Sequence, residues 1–259
     1  MRIAIITQED PFYLPPALNA LCRARNKDVV GIILLPAFNE KMTATAKRLY
    51  EFYGLIDFVR LVWRYGWAKI ANIINRITPL TRPFSAVDVA RRHKIRLYEP
   101  PKVNATVFIE QLKNEIAPDL LVSIAASQVL KQRVLDVPPL GCINLHSAPL
   151  PKYQGMMPNF WTMVHQEPQA CVTIHYMVEK LDAGDIILQK PVPILPTDSL
   201  HDLMVRSKVV GAEALLEAIN QIENKTAQRK PMDASLATYF SFPKRADAQK
   251  LRSQGRRLL

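Results

Sequence analysis

Two polar side chains at the end of an apolar run are the first residues here that could do chemistry. In Gly141-Cys142-Ile143-Asn144-Leu145-His146-Ser147, Asn144 and His146 alternate with Ile143 and Leu145, so in a strand both point to one face. An amide that donates and accepts, beside an imidazole that trades a proton near neutral pH, can activate a carbonyl. A His–Asn pair bonded into a core network gives the same pattern. The second feature is Leu181-Asp182-Ala183-Gly184-Asp185, where small residues and aspartates mark a turn. Asp in such a turn ordinarily bonds its own backbone. The functional alternative is that it folds back beside His146, holds the imidazole and favours its protonated form.

In an open parallel sheet the ligand crevice lies beyond the carboxyl ends of the strands, so the surrounding elements must build such a sheet. Residues 2–7 and 28–36 read as buried strands around a helix near 15–25 that turns Leu18, Leu21 and Cys22 to one face. Strand, helix, strand forces a right-handed crossover. Helices at 85–94 and 106–117 alternate with strands at 95–99 and 119–126, and 141–147 is a further strand. Beyond residue 148 a Pro-rich loop, Ala148 to Pro158, leads to a helix from Asn159 to Gln166 and strands at 170–178 and 185–194. A helix follows from about 199 to 223, with Ser199 as N-cap and Asp202 three residues on. The predicted class is α/β: a Rossmann-like, mostly parallel sheet with helices on both faces.

The 259 residues are 49% apolar and 22% charged, a globular composition. Glycine is scarce at 8 against 20 prolines, and neither GxGxxG nor GxxxxGK[ST] occurs, which excludes the usual mono- and dinucleotide fingerprints. The net charge of +11 favours anionic partners through steering rather than through a defined site. Part of it lies near the C-terminus, where Lys244, Arg245, Lys250, Arg252, Arg256 and Arg257 face only Asp247; this reads as a solvated basic tail. Cys22, Cys142 and Cys171 are far apart in apolar stretches, which fits reduced thiols rather than a disulfide framework or a metal site. The start, MRIAIIT, reads as a strand rather than a signal peptide. No stretch suits a membrane span, and a cytoplasmic location is expected.

Residues 55–77 place Leu55, Val59, Val62, Ile70, Ile73 and Ile77 near helical spacing, with Arg60, Arg64, Lys69 and Arg76 between them and Trp63, Tyr65 and Trp67 alongside. A basic, Trp-bearing amphipathic helix can lie on a membrane. A helix packed on its own sheet gives the same pattern and is the commoner case, so it is the expectation here.

Read in order, Asn144-Leu145-His146-Ser147, Leu150-Pro151-Lys152-Tyr153-Gln154-Gly155 with Pro158, Val172-Thr173-Ile174-His175 and Leu181-Asp182-Ala183-Gly184-Asp185-Ile186 resemble the formyltransferase family that uses 10-formyltetrahydrofolate. The resemblance covers roughly 1–223, and its specific part is the ordered series across 119–190. It implies that family's Rossmann-like fold, a catalytic domain at 1–223 and a short basic extension at 224–259. It also implies a catalytic trio of Asn144, His146 and Asp182. The amide and the protonated imidazole would donate to the oxyanion formed when a primary amine attacks the formyl carbon, and Asp182 would stabilise the imidazolium. No metal is required. By motif the folate pocket maps onto Gln128, Val129 and Leu130 and onto Val178, Glu179, Lys180 and Leu181. Val129 and Leu130 would serve as apolar walls, although plain helix core explains them equally well.

Family members of the purine pathway have a Gly-rich turn after the first strand that cradles a phosphate. Here it is Gln8-Glu9-Asp10-Pro11-Phe12-Tyr13, whose carboxylates would repel one, so glycinamide ribonucleotide is not expected as acceptor. Methionyl-tRNA formyltransferases resemble this turn better but carry a further β-barrel domain for the tRNA, which 224–259 is too short to supply. The loop Pro158-Asn159-Phe160-Trp161 is similar to that of formyltransferases acting on amino sugars. The expected acceptor is therefore the amine of a nucleotide-linked sugar, with Gln8, Asp10, Tyr13, Lys152, Tyr153 and Trp161 near it. Trp161 as a plain helix anchor is the competing reading, tRNA is the runner-up, and a non-catalytic folate or nucleotide binder is the alternative of another class. His165 and His175 read as structural or surface residues. Residues 55–77 match nothing in the family's acceptor chemistry and read as an acceptor-site wall or a homodimer contact.

Overall fold

Strands and helices alternate through the first half of the computed structural model, which describes residues 1–36, 42–78 and 82–259. β1 (Ile3–Gln8), α1 (Leu14–Ala24) and β2 (Val29–Leu35) form the first crossover; α2 (Met42–Ile77), α3 (Ala86–His93) and β3 (Leu97–Tyr98) follow. Next come α4 (Thr106–Gln111), continued by a π-helical turn to Ile116, then β4 (Leu120–Ile124), α5 (Gln132–Leu135) and β5 (Cys142–His146). The remainder is β6 (Gln154–Gly155), α6 (Pro158–Val164), β7 (Gln169–Tyr176), β8 (Ile186–Pro193), α7 (Leu200–Glu223), β9 (Tyr239–Phe240) and α8 (Arg245–Ser253).

Seven strands share one sheet in the order β3-β2-β1-β4-β5-β7-β8. The first five are parallel; β7 is antiparallel to β5, and β8 to β7. Two reversals return β8 to the direction of β5, so α7 starts at the carboxyl end of the sheet, where α1 also starts. The period-2 alternation of β1 divides the core. Ile3 and Ile5 pack with α1, α6, α7 and α8 on one face, while Ala4 and Ile6 pack with Phe108, Leu112 and Val134 on the other. α7 opens with the capping box read from Ser199 and Asp202, which satisfies two otherwise orphaned backbone donors.

Two expectations fail. Residues 55–77 are helical but do not lay their apolar face on the sheet: Ile56, Trp63 and Ile77 are 69%, 70% and 83% exposed. The preceding half of α2 takes the buried position instead, through Phe52 packed edge-on against Phe160 and Phe242. Gly54 separates the halves at φ 71, a left-handed conformation that glycine adopts without steric cost.

The C-terminal segment is not a solvated tail. β9 pairs with β6, α8 buries Ala248 and Leu251, and Leu258 is buried in the main core. Three of its arginines are spent on partners in the fold: Arg252 bonds the Tyr53 carbonyl and Asp57, Arg256 the Leu195 and Pro196 carbonyls, and Arg257 the Thr197 carbonyl. Leu251→Ala is therefore expected to cost about 2–5 kcal/mol, the range for a buried leucine. Urea unfolding would show this; an unchanged midpoint would mean that the segment is not part of the cooperative fold.

Candidate active site

β5 carries Asn144 and His146 on one pleat, and β7 lies beside it with His175 opposite Asn144 and Thr173 opposite His146. The His175 Nδ1–H donates to the Tyr176 carbonyl at 2.8 Å. Burial, then the neighbouring His146 charge, push the His175 pKa down to about 4, so the ring is neutral and its Nε2 accepts. Asn144 Nδ2 supplies that bond at 3.2 Å. This fixes the amide and uses one of its two hydrogens.

His146 Nε2 donates to the Tyr153 carbonyl at 2.8 Å, which turns Nδ1 toward Asp182 Oδ1, 3.7 Å away. The same carboxylate oxygen lies 3.8 Å from His175 Nε2. Asp182 Oδ2 accepts from the Gly155 N–H at 2.9 Å, and the Asp182 carbonyl accepts from the Gln154 amide at 2.9 Å. The turn can lie this close because of Gly184, where a Cβ would stand 2.0 Å from the Tyr176 carbonyl oxygen. Asp182 itself has φ 49, a conformation that Asp tolerates better than most residues. The structure thus brings Asn144, His146 and Asp182 together, His146 and Asp182 buried and Asn144 half-buried. It adds His175, which sequence reading set aside. Val172-Thr173-Ile174-His175 could have revealed it, since that alternation puts His175 on the same face as Thr173.

The face of β5 that bears Asn144 and His146 also bears Cys142. There a cavity of about 230 Å³ opens between Leu135, Cys142, Met177, Val178 and Ala183. Of the residues expected to form the folate pocket, only Val178 lines it. Val129, Val178 and Leu181 are exposed, as are Glu179 and Lys180. Leu130 differs, being buried in the second core with Val134 and Leu135. Gln128 braces its loop, accepting from Val103 N and donating to the Pro101 carbonyl.

The acceptor expectations fare less well. Tyr153 is buried, its hydroxyl on Glu167 and its ring stacked on Phe240. Trp161 stacks on Phe240 at 4.7 Å and donates to the Ser241 carbonyl, so both rings grip the C-terminal segment. Asp10 caps the turn into α1 by accepting from Phe12 N and Tyr13 N at 2.6 and 2.8 Å, and the Tyr13 hydroxyl bonds His201. Gln8 ends β1 half-buried, and Lys152 is exposed.

Three charged features were not anticipated. Lys208 Nζ donates to Ser147 Oγ at 3.3 Å, next to His146. Glu9 has a buried Oε2 without a hydrogen-bond partner, and burial raises its pKa to about 7 against the pull of Lys69. A groove of about 720 Å³ beside the first turns of α1 and α7 is lined by Phe12, Arg23, Arg64, Arg82, His201 and Arg206. Among the described residues no group of three or more His, Cys, Asp or Glu is placed to hold a metal ion, and no helix is long and apolar enough to cross a membrane.

Comparison with known proteins gives the family and the fold. The family profile described as formyl transferase matches residues 79–219, more than half of the chain. A methionyl-tRNA formyltransferase of Syntrophus aciditrophicus is 42% identical over 158 residues, covering 61% of this chain and 50% of that protein. That of Macrococcus caseolyticus is 39% identical over 168 residues, covering 65% and 54%. The chain spans about half the length of the curated relatives it matches. Among solved structures, a phosphoribosylglycinamide formyltransferase of Anaplasma phagocytophilum superposes with TM-score 0.61 at 17% identity, covering 93% of this chain and 99% of that one. An N-formyltransferase of Helicobacter canadensis, in complex with folinic acid and dTDP-3-aminofucose, does so with TM-score 0.58 at 17% identity, covering 93% and 71%. At these identities the structures show a shared fold.

Two outcomes follow from the site's construction. Gly184→Ala pushes the turn off β7 and is expected to cost about 1–3 kcal/mol, as overpacking does, while shifting the imidazole NMR resonances of His146 and His175. Unmoved resonances would mean that the turn does not position Asp182. Glu9 is held protonated by the fold above its ordinary value of 4.5, so its burial costs stability as pH rises from about 4.5 through 7. Glu9→Gln should then melt higher than the parent above that window and equally with it below. A gain independent of pH would refute the burial argument.

Proposed function

Because the chain belongs to the formyl transferase family, we propose that it transfers a formyl group from 10-formyltetrahydrofolate to a primary amine, with Asn144, His146 and Asp182 acting on the reacting atoms. The observation that carries this is the Asp182 carboxylate held against His146 by the Gly155 N–H, with Asn144 on the same pleat.

10-Formyltetrahydrofolate would supply an activated formyl carbon. The cavity along Leu135, Cys142, Met177 and Val178 offers apolar walls of the kind a flat ring needs. Asn144, pinned by His175 through one amide hydrogen, keeps the other for the formyl oxygen as negative charge develops there. His146 takes up the proton released as the amine bonds the formyl carbon and returns it to the folate nitrogen whose bond to that carbon breaks, and the tie to Tyr153 makes Nδ1 the atom that does so. Asp182 faces that nitrogen and stabilises the imidazolium. Neutral His175 adds no competing positive charge.

For the acceptor we favour a nucleotide-linked amino sugar. The arginine-lined groove lies in the volume range of small-ligand sites. Arg23, Arg64, Arg82 and Arg206 give it a cationic lining with Asp202 as the one acid among its described residues, and it opens at the same end of the sheet as His146. Methionyl-tRNA is the second reading, favoured by the function named for the curated relatives.

Removing one oxyanion donor typically costs about 10²–10³ in turnover, so Asn144→Ala should lose that much; His146→Ala should lose about 10²–10⁴, the worth of a positioned proton-transfer group, and Asp182→Ala should also lose turnover, with melting unchanged. The assay follows tetrahydrofolate release from 10-formyltetrahydrofolate with a panel of nucleotide amino sugars and charged initiator tRNA. Wild-type rates in any of the three variants would remove that residue from the mechanism. Release with tRNA alone would replace the sugar reading, and release with no acceptor would leave a folate-binding protein.

A further inference from the structure

The second half of α2 is inside out. Phe58 and Leu61 lean on the main core, but beyond them its sheltered side is small or polar: Ala68 and Ala71 are buried, Asn72 accepts from Ser85 Oγ, and Asn75 donates to Asp88 and to the Arg82 carbonyl. Its large apolar side chains face outward. Leu55, Val59, Val62, Trp63, Ile70 and Ile77 are all exposed, and at 3.6 residues per turn they fall on one stripe. The 23 residues from 55 to 77 carry that stripe about 35 Å along the surface at ~1.5 Å per residue. Scattered surface apolar residues need no explanation, but a contiguous stripe of this length marks a binding surface.

Charge identifies the occupant. Arg60 and Lys69 flank the stripe, Arg76 closes the last turn, and Asp57 is the only acid between residues 55 and 77. Asp57 is already bonded by Arg60 and Arg252. A second copy of this chain would bring the same basic flanks against one another, within a protein of net charge +11. A negatively charged lipid surface instead complements the flanks while its acyl region takes the stripe, and Trp63 and Trp67 suit the headgroup boundary.

We propose that residues 55–77 form an interfacial helix that seats this protein on a bilayer containing anionic lipid, without crossing it. Gly54, at φ 71, lets one half of α2 enter the core while the other turns its apolar side out. The proposal is independent of what the crevice catalyses.

The test is co-sedimentation of the full chain with vesicles of phosphatidylcholine alone and of phosphatidylcholine mixed with phosphatidylglycerol. Binding to the mixed vesicles is expected, weakened by salt, with a blue shift of tryptophan emission. Charge reversal at Arg60, Lys69 and Arg76 together should lower partitioning by about 100-fold or more. A Trp63→Ser, Ile70→Ser, Ile77→Ser variant should lose it as well. All six side chains are exposed, so circular dichroism and melting should match the parent. Failure to bind the mixed vesicles would overturn the proposal, as would binding that survives the serine variant. A concentration-dependent dimer in sedimentation velocity, abolished by the serine variant while vesicles stay unbound, would assign the face to a second copy.

Discussion

The candidate site depends on one backbone contact. Where the turn after β7 folds back, residue 184 lies so close to the Tyr176 carbonyl that no side chain fits, and this lets the Asp182 carboxylate reach the imidazole on β5. The Gly155 N–H and the Gln154 amide then hold Asp182 from the other side. A carboxylate buried without such donors would take up a proton and lose its charge. The Gly155 N–H, the one of the two that meets the carboxylate, therefore matters as much as the acid.

What was legible in the sequence was mostly periodic or local. Strand alternation placed Asn144 and His146 on one face, and the Ser199–Asp202 spacing marked the start of α7. Small turn residues marked where Asp182 sits. What was not legible depended on which surfaces meet. His175 joins the cluster through the antiparallel pairing of β7 with β5; its own alternation gives the face it shares with Thr173 but not the neighbour it meets there. Trp161 and Tyr153 were read toward a substrate because aromatic residues near a site are ambiguous until their neighbours are known, and the neighbour here is Phe240. Leu130 went to the core for the same reason. In 55–77 the helical period was read correctly, but its direction was not, since an apolar stripe has the same spacing whether it faces a sheet or solvent.

The neutral state of His175 links packing to electrostatics. Burial and the nearby His146 keep it from protonating, so its Nε2 stays an acceptor. The Tyr176 carbonyl holds the His175 tautomer and the Asn144 amide reads it. A backbone oxygen thereby determines how an amide on the neighbouring strand is oriented.

The pairing of β6 with β9 has a consequence for how the protein is made. Gly155, whose N–H holds Asp182, is itself aligned with Phe240, and Gln154 with Tyr239. The ribosome synthesises those partners some eighty-five residues after the strand that waits for them. A nascent chain that has already formed β5, β7 and their turn still lacks the brace behind its carboxylate, so the crevice is among the last parts of the molecule to be finished.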